Sequence, residues 1–183
     1  MKIAVLGAGA IGGVVAGYLK LKGEDVTLIG RQAVVEAVTR SGLHVSGARG
    51  DHHVRLNVHT ELFFKPDLAI LAVKTQDLAC VVEDNFPFIK DALVVTTQNG
   101  VAADKLCARY FLPEKIISSI IMFGATYLEP GCVVHNFEGN WIIGSMAGEG
   151  VSQTILDTSL VLDKAFTVTV SEQILGMKYL KLF

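Results

Sequence analysis

The first thirty-one residues, MKIAVLGAGAIGGVVAGYLKLKGEDVTLIGR (Met1–Arg31), decide the fold. Lys2–Leu6 is a short apolar, β-branched run of the kind that forms a buried strand. Gly7-Ala8-Gly9-Ala10-Ile11-Gly12 follows at once, Val14–Lys22 reads as a helix, and Asp25–Ile29 reads as a second buried strand. Strand, glycine turn, helix, strand is the first half of a dinucleotide-binding α/β fold. Each glycine has a mechanical task. Gly7 permits the tight turn, Gly9 lets the backbone approach a pyrophosphate, and Gly12 lets the helix pack closely on the strand. Ala8, Ala10 and Ile11 complete the turn, whose amides and positive helix end face the phosphates.

The end of the second strand indicates which dinucleotide. NAD- and FAD-binding versions place an acidic residue about 20 positions beyond the fingerprint, on the ribose hydroxyls. Here the chain reads Ile29-Gly30-Arg31-Gln32, with no carboxylate to repel a 2′-phosphate. The planar guanidinium of Arg31 suits a bidentate grip on that phosphate, so NADP(H) is the expected cofactor.

A length of 183 residues suits one domain, and a composition 51% hydrophobic and 19% charged suits an all-buried parallel sheet. The net charge of −2 and the lack of a basic stripe argue against nucleic acid as a partner. Ile3–Leu19 is uncharged and follows Lys2, as a signal peptide or membrane span would. Five glycines in that stretch, three of them in the fingerprint, argue for a cytoplasmic protein without a membrane segment. Cys80, Cys107 and Cys132 are too scattered for a metal or disulfide framework and are expected to be small buried hydrophobes.

Further along, Ala33–Arg40 reads as a short helix, and Leu43–Ser46 with Val54–Val58 as a β-hairpin inserted in the α/β pattern. His52, His53 and His59 lie on or beside it. No cysteine or carboxylate set completes a ligand group in the sequence, so no metal is expected. Asp67–Val73 is the next buried strand, ending in Lys74-Thr75-Gln76-Asp77; Ala92–Thr97 is another, ending in Gln98-Asn99-Gly100-Val101. Ligands of open α/β sheets sit beyond the C-terminal strand ends. Lys74 is thus placed near a cofactor phosphate or ribose, and Asn99 near a nicotinamide ribose or a substrate oxygen, unless Asn99-Gly100 is an ordinary turn. Helices are expected over Leu78–Glu83, Ala102–Tyr110 and Val151–Lys164, and strands over Lys115–Phe123 and Phe166–Val170. Cys132–His135 and Trp141–Ile143 are expected to be antiparallel strands closing the sheet. A last helix is expected to start at an N-cap Ser171 and to carry Lys178 and Lys181, which have equal claims to a role on sequence alone. It ends in Leu180-Lys181-Leu182-Phe183 without a capping glycine, which predicts a missing partner domain or self-association into a homo-oligomer.

GAGAIGG, Arg31, VKTQD at 73–77, QNGV at 98–101, EPGCVVH at 129–135 and Tyr179-Leu180-Lys181-Leu182 together resemble the N-terminal part of the ketopantoate reductase (2-dehydropantoate 2-reductase) family. The resemblance implies a Rossmann-type cofactor domain over 1–170 and, over 171–183, the start of a helix leading to an all-helical C-terminal domain that this chain lacks. It implies NADPH-dependent reduction of ketopantoate, a small 2-oxo acid, to pantoate, on the way to pantothenate and coenzyme A. Gly7–Gly12 match the family's pyrophosphate turn, Arg31 its 2′-phosphate residue and Lys74 the lysine near the adenosine. Asn99 matches the asparagine shared by cofactor and substrate, and Lys181 the catalytic, substrate-binding lysine. Tyr179 departs from the family's usual tryptophan. The family's substrate residues of the second domain have no counterpart, so this chain alone is expected to be inactive. The alternatives are a reductase of another 2-oxo acid and a non-catalytic NADP(H)-binding module.

Overall fold

The computed structural model describes residues 1–147 and 150–181. In chain order these form β1 (Lys2–Leu6), α1 (Ala10–Leu21), β2 (Asp25–Ile29), α2 (Gln32–Ser41), β3 (Leu43–Gly47), β4 (His52–Val54) and β5 (Asn57–His59). There follow β6 (Leu68–Leu71), α3 (Leu78–Ile89), β7 (Leu93–Thr96), α4 (Ala102–Cys107), β8 (Ile116–Ile121), β9 (Gly124–Glu129) and β10 (Cys132–Phe137). β11 (Trp141–Ser145), α5 (Gln153–Asp163), β12 (Val168–Val170) and α6 (Ile174–Leu180) complete the series.

Eight strands form the main sheet in the order β12-β11-β8-β7-β6-β1-β2-β5. Every neighbouring pair is parallel except β8 with β11. The strands read as unbroken apolar runs because the sheet is covered on both faces, and the period of two deals successive residues to opposite cores. Ile3, Val5, Leu68, Ile70 and Val95 enter one core with α1, α2 and α5. Ala4, Leu6, Ala69, Leu71 and Val94 enter the other with α3 and α4.

The second sheet departs from the expected hairpin. β3 and β4 do pair antiparallel, but the segment expected as one strand over Val54–Val58 is divided. Val54 closes β4, whereas Asn57–His59 crosses to the main sheet and pairs parallel with β2. The Cys132–His135 segment does not close the main sheet either. It lies in β10, between β9 (antiparallel) and β3 (parallel), giving the order β4-β3-β10-β9. Only β11 meets the expectation, antiparallel to β8. This small sheet covers the outer face of α1. Its Val133 and Val45 sit where a Cβ on Gly13 or Gly17 would come within 2.8 and 2.7 Å, so these glycines allow the close approach.

Other corrections are local. Cys80 is exposed, Cys132 half-buried, and only Cys107 is fully buried. Gln173, not Ser171, caps α6; the Ser171 hydroxyl oxygen accepts from the Gln173 amide at 3.1 Å, holding the turn that precedes the helix. Leu182 and Phe183, at the end of the expected helix, lie outside the described residues. Among the described residues no helix is long and apolar enough to cross a membrane.

Candidate active site

Because β1, β2, β6, β7 and β8 run parallel, their C-terminal ends form a single edge. Gly7–Gly12, Arg31, Lys74 and Asn99 all follow directly after those ends. The Gly7 amide donates to the Ile29 carbonyl at 3.0 Å, tying the turn to β2. Gly7 has a φ of +117°, and a Cβ on it would lie 2.7 Å from the Ala72 carbonyl carbon and the Val73 nitrogen. A Cβ on Gly12 would run into the carbonyl oxygen of Gly7. Gly9 is different: a Cβ there would meet nothing within 4 Å. The requirement at Gly7 and Gly12 is therefore imposed by the protein itself, whereas the surface at Gly9 is open.

Gly9 is the N-cap of α1, and no side chain caps the helix or places an acid in its first turn. The first-turn amides and the positive end of the helix dipole are left for an outside acceptor. This donor set fits a pyrophosphate. Arg31 is the exposed N-cap of α2 and has no ion-pair partner among the described residues; exposed Lys74 likewise has none. Two free cations thus flank the glycine turn.

At the β7 and β8 ends, a cavity of about 350 Å³ is lined by Gln98, Asn99, Gly100, Ser119, Lys178 and Lys181, among others. The Lys181 ammonium reaches across 82 residues of sequence to donate to Asn99 Oδ1 at 3.0 Å, and to the Ile121 carbonyl at 2.9 Å. Desolvation, helped by the nearby charge of Lys178, pulls the Lys181 ammonium below the ordinary lysine range. Asn99 keeps its amide N–H groups free of partners among the described residues.

The structure separates the two lysines that sequence left equal. Lys178, one turn earlier on α6, is 2% exposed, and its ammonium meets Asp104 Oδ2 at 2.7 Å. Asp104 Oδ1 accepts from the Thr96 hydroxyl at 2.5 Å, so the buried carboxylate is held from both sides. Lys178 thus fastens α6 to α4 and β7, and Lys181 is left facing the cavity. Gln98 was another residue without an assigned role. Its amide group donates to the carbonyls of Leu71 (2.9 Å) and Val73 (2.8 Å), and its Oε1 accepts from the Thr97 amide at 3.1 Å. It locks the loop before Lys74 to the loop before Asn99. A spacing of three puts Lys178 and Lys181 on one face of the helix without telling them apart, and Asp104 reads in sequence like any helix-surface acid.

Residues 3–148 match the family model described as ketopantoate reductase PanE/ApbA. The chain belongs to the ketopantoate reductase family. A 2-dehydropantoate 2-reductase of Pyrococcus horikoshii is 33% identical over 99% of this chain and 60% of its own length. That of Archaeoglobus fulgidus is 30% identical over 80% of this chain and 48% of its own. Among solved structures, the 2-dehydropantoate 2-reductase of Geobacter metallireducens superposes with a TM-score of 0.92 at 25% identity, over 100% of this chain and 62% of that one. D-mandelate dehydrogenase in a ternary complex with NADH and anilino(oxo)acetate gives 0.91 at 26%, over 99% and 60%. This ketopantoate reductase family chain thus spans about half to three-fifths of the length of such relatives.

Proposed function

We propose that this chain is the cofactor-binding part of an NADPH-dependent reductase that converts ketopantoate to pantoate. The observation that carries the reading is the Lys181–Asn99 contact, placed on the same sheet edge as the open glycine turn. Residues 1–170 are assigned to the cofactor domain, and 171 onward to the helix that leads into a C-terminal helical domain in the whole protein. The α1 amides of the Gly7–Gly12 turn hold the pyrophosphate, Arg31 the 2′-phosphate, and Lys74 the adenosine side. When bound, the nicotinamide supplies a hydride to the carbonyl carbon of the 2-oxo acid. Lys181 donates to the carbonyl oxygen, stabilises the negative charge that develops there, and passes it a proton. An ammonium held below the ordinary lysine range by desolvation gives up its proton more readily, which suits this transfer. Asn99 orients Lys181 through Oδ1 and offers its N–H groups to the substrate or the ribose.

A second reading, reduction of another 2-oxo acid with NADH, is favoured by the likeness to D-mandelate dehydrogenase with NADH and anilino(oxo)acetate. Fluorescence titration of the chain with NADPH and NADH separates the two. NADPH should bind at least about tenfold more tightly, and Arg31→Ala should remove about 1.4 kcal/mol or more of that preference. Equal binding of both nucleotides would reject the NADPH assignment. Assay of the whole protein with ketopantoate then tests the substrate.

A further inference from the structure

The small sheet gathers metal-ligating side chains that are scattered in sequence. Register places Glu129 opposite Cys132, Cys132 opposite His44, and His44 opposite His53, in one row across its four strands. Asp51, in the turn between β3 and β4, reaches back to the end of that row. Its two carboxylate oxygens lie 3.0 and 3.1 Å from His44 Nε2, and Oδ1 lies 4.0 Å from His53 Nε2. The two imidazoles are stacked face to face, with centroids 4.4 Å apart and planes within 5°. The ligand atoms of His44, Asp51 and His53 all fall within 4.8 Å of one another. His44 and His53 also line a depression of about 360 Å³ between α2 and this sheet, together with Glu129 and Cys132.

The geometry points to a divalent transition-metal site formed by His44, Asp51 and His53, with Zn²⁺ the fitting ion. Zinc bonds of about 2.0–2.2 Å to imidazole nitrogen and carboxylate oxygen place tetrahedral ligand atoms roughly 3.3 Å apart. The His44–Asp51 separation is already close to this; the exposed His53 ring must turn out of its stack on His44 so that the two in-plane lone pairs converge on one ion. One carboxylate with two neutral imidazoles gives a ligand set of charge −1, suited to a dication, and two nitrogen donors favour zinc over magnesium or calcium. Three protein ligands leave one position to water. The sequence neighbours His52, His53 and His59 do not form this group: His59 lies on the main sheet, and register supplies His44 as the partner of His53, with Asp51 as the carboxylate. The site is independent of the proposed cofactor and reaction.

The test is isothermal titration of the chelator-stripped chain with ZnCl₂, repeated on His44→Gln, His53→Gln and Asp51→Asn. All three side chains lie near the surface, and circular dichroism checks that each variant keeps the fold. One Zn²⁺ per chain is expected, with binding weakened about tenfold or more in each variant. MgCl₂ should give no comparable heat, and Zn²⁺ should raise the melting temperature of the parent chain but not of His53→Gln. No saturable Zn²⁺ binding, binding unchanged in all three variants, or equal binding of Mg²⁺ would overturn the assignment.

Discussion

Lys178→Met isolates the buried ion pair beneath the cavity. The Lys178 side chain is 1% exposed and that of Asp104 0%, at an N–O separation of 2.7 Å. Methionine fills the space of the lysine stem but removes the cation. Asp104 is then a buried carboxylate with the Thr96 hydroxyl as its remaining hydrogen-bond donor. Removing one partner of such a pair costs about 3–5 kcal/mol, chiefly because the other charge stays buried without compensation. For a chain of this size that corresponds to a fall in melting temperature of roughly 10 °C. Adding Asp104→Asn removes the stranded charge while keeping an acceptor for Thr96, and should recover about 2 kcal/mol or more of the loss. Urea denaturation followed by circular dichroism measures all three chains. A Lys178→Met chain within about 1 kcal/mol of the parent, or a double variant no better than the single, would refute the reasoning.

Gly9→Val and Gly12→Val should behave oppositely. Gly9→Val, projecting into open space, should keep the parent melting temperature and lose nucleotide binding, whereas Gly12→Val, colliding with Gly7, should fail to fold stably; melting curves and NADPH titration read both. Burial holds the His135 imidazole below the ordinary histidine range, so the unfolded chain takes up the proton first. Stability is then full above the unfolded value of about 6.5 and is lost as pH falls towards the folded one, and His135→Gln should remove that part of the slope in denaturation curves. In the whole protein, Lys181→Met should cut kcat by about 10² or more with NADPH affinity little changed, measured by steady-state assay and titration.

The α/β core was legible because β1, β2, β6 and β7 each carry an unmistakable apolar run followed by a turn, and their C-terminal ends define where ligands go. The glycine turn and Arg31, Lys74 and Asn99 could be placed from that rule alone. The small sheet was not legible. Its central β3–β10 pairing joins residues 88 positions apart, from His44 to Cys132, and local alternation gives no sign of a parallel partner so distant. Val54–Val58 looked like one strand because alternation continues through residues that serve two different sheets. Asp104 escaped notice for a related reason: its meaning comes from Lys178, 74 residues later.

The position of α1 between two sheets has a consequence for how the chain responds to a ligand. Residues Gly12 to Leu19 are all buried, pressed by the main sheet on one side and by Val45 and Val133 on the other. A helix clamped this way can neither slide nor tilt without opening two interfaces. The glycine turn at its N-terminus, proposed above to hold a pyrophosphate, is therefore rigid before anything binds, and little ordering entropy is lost there on association. Any closure around a cofactor has to come from the opposite rim, where α6 rests on the sheet by one face and Tyr179 and Leu180 stand exposed. Amide exchange should be slow along α1 with or without nucleotide, and the change on binding should appear in α6.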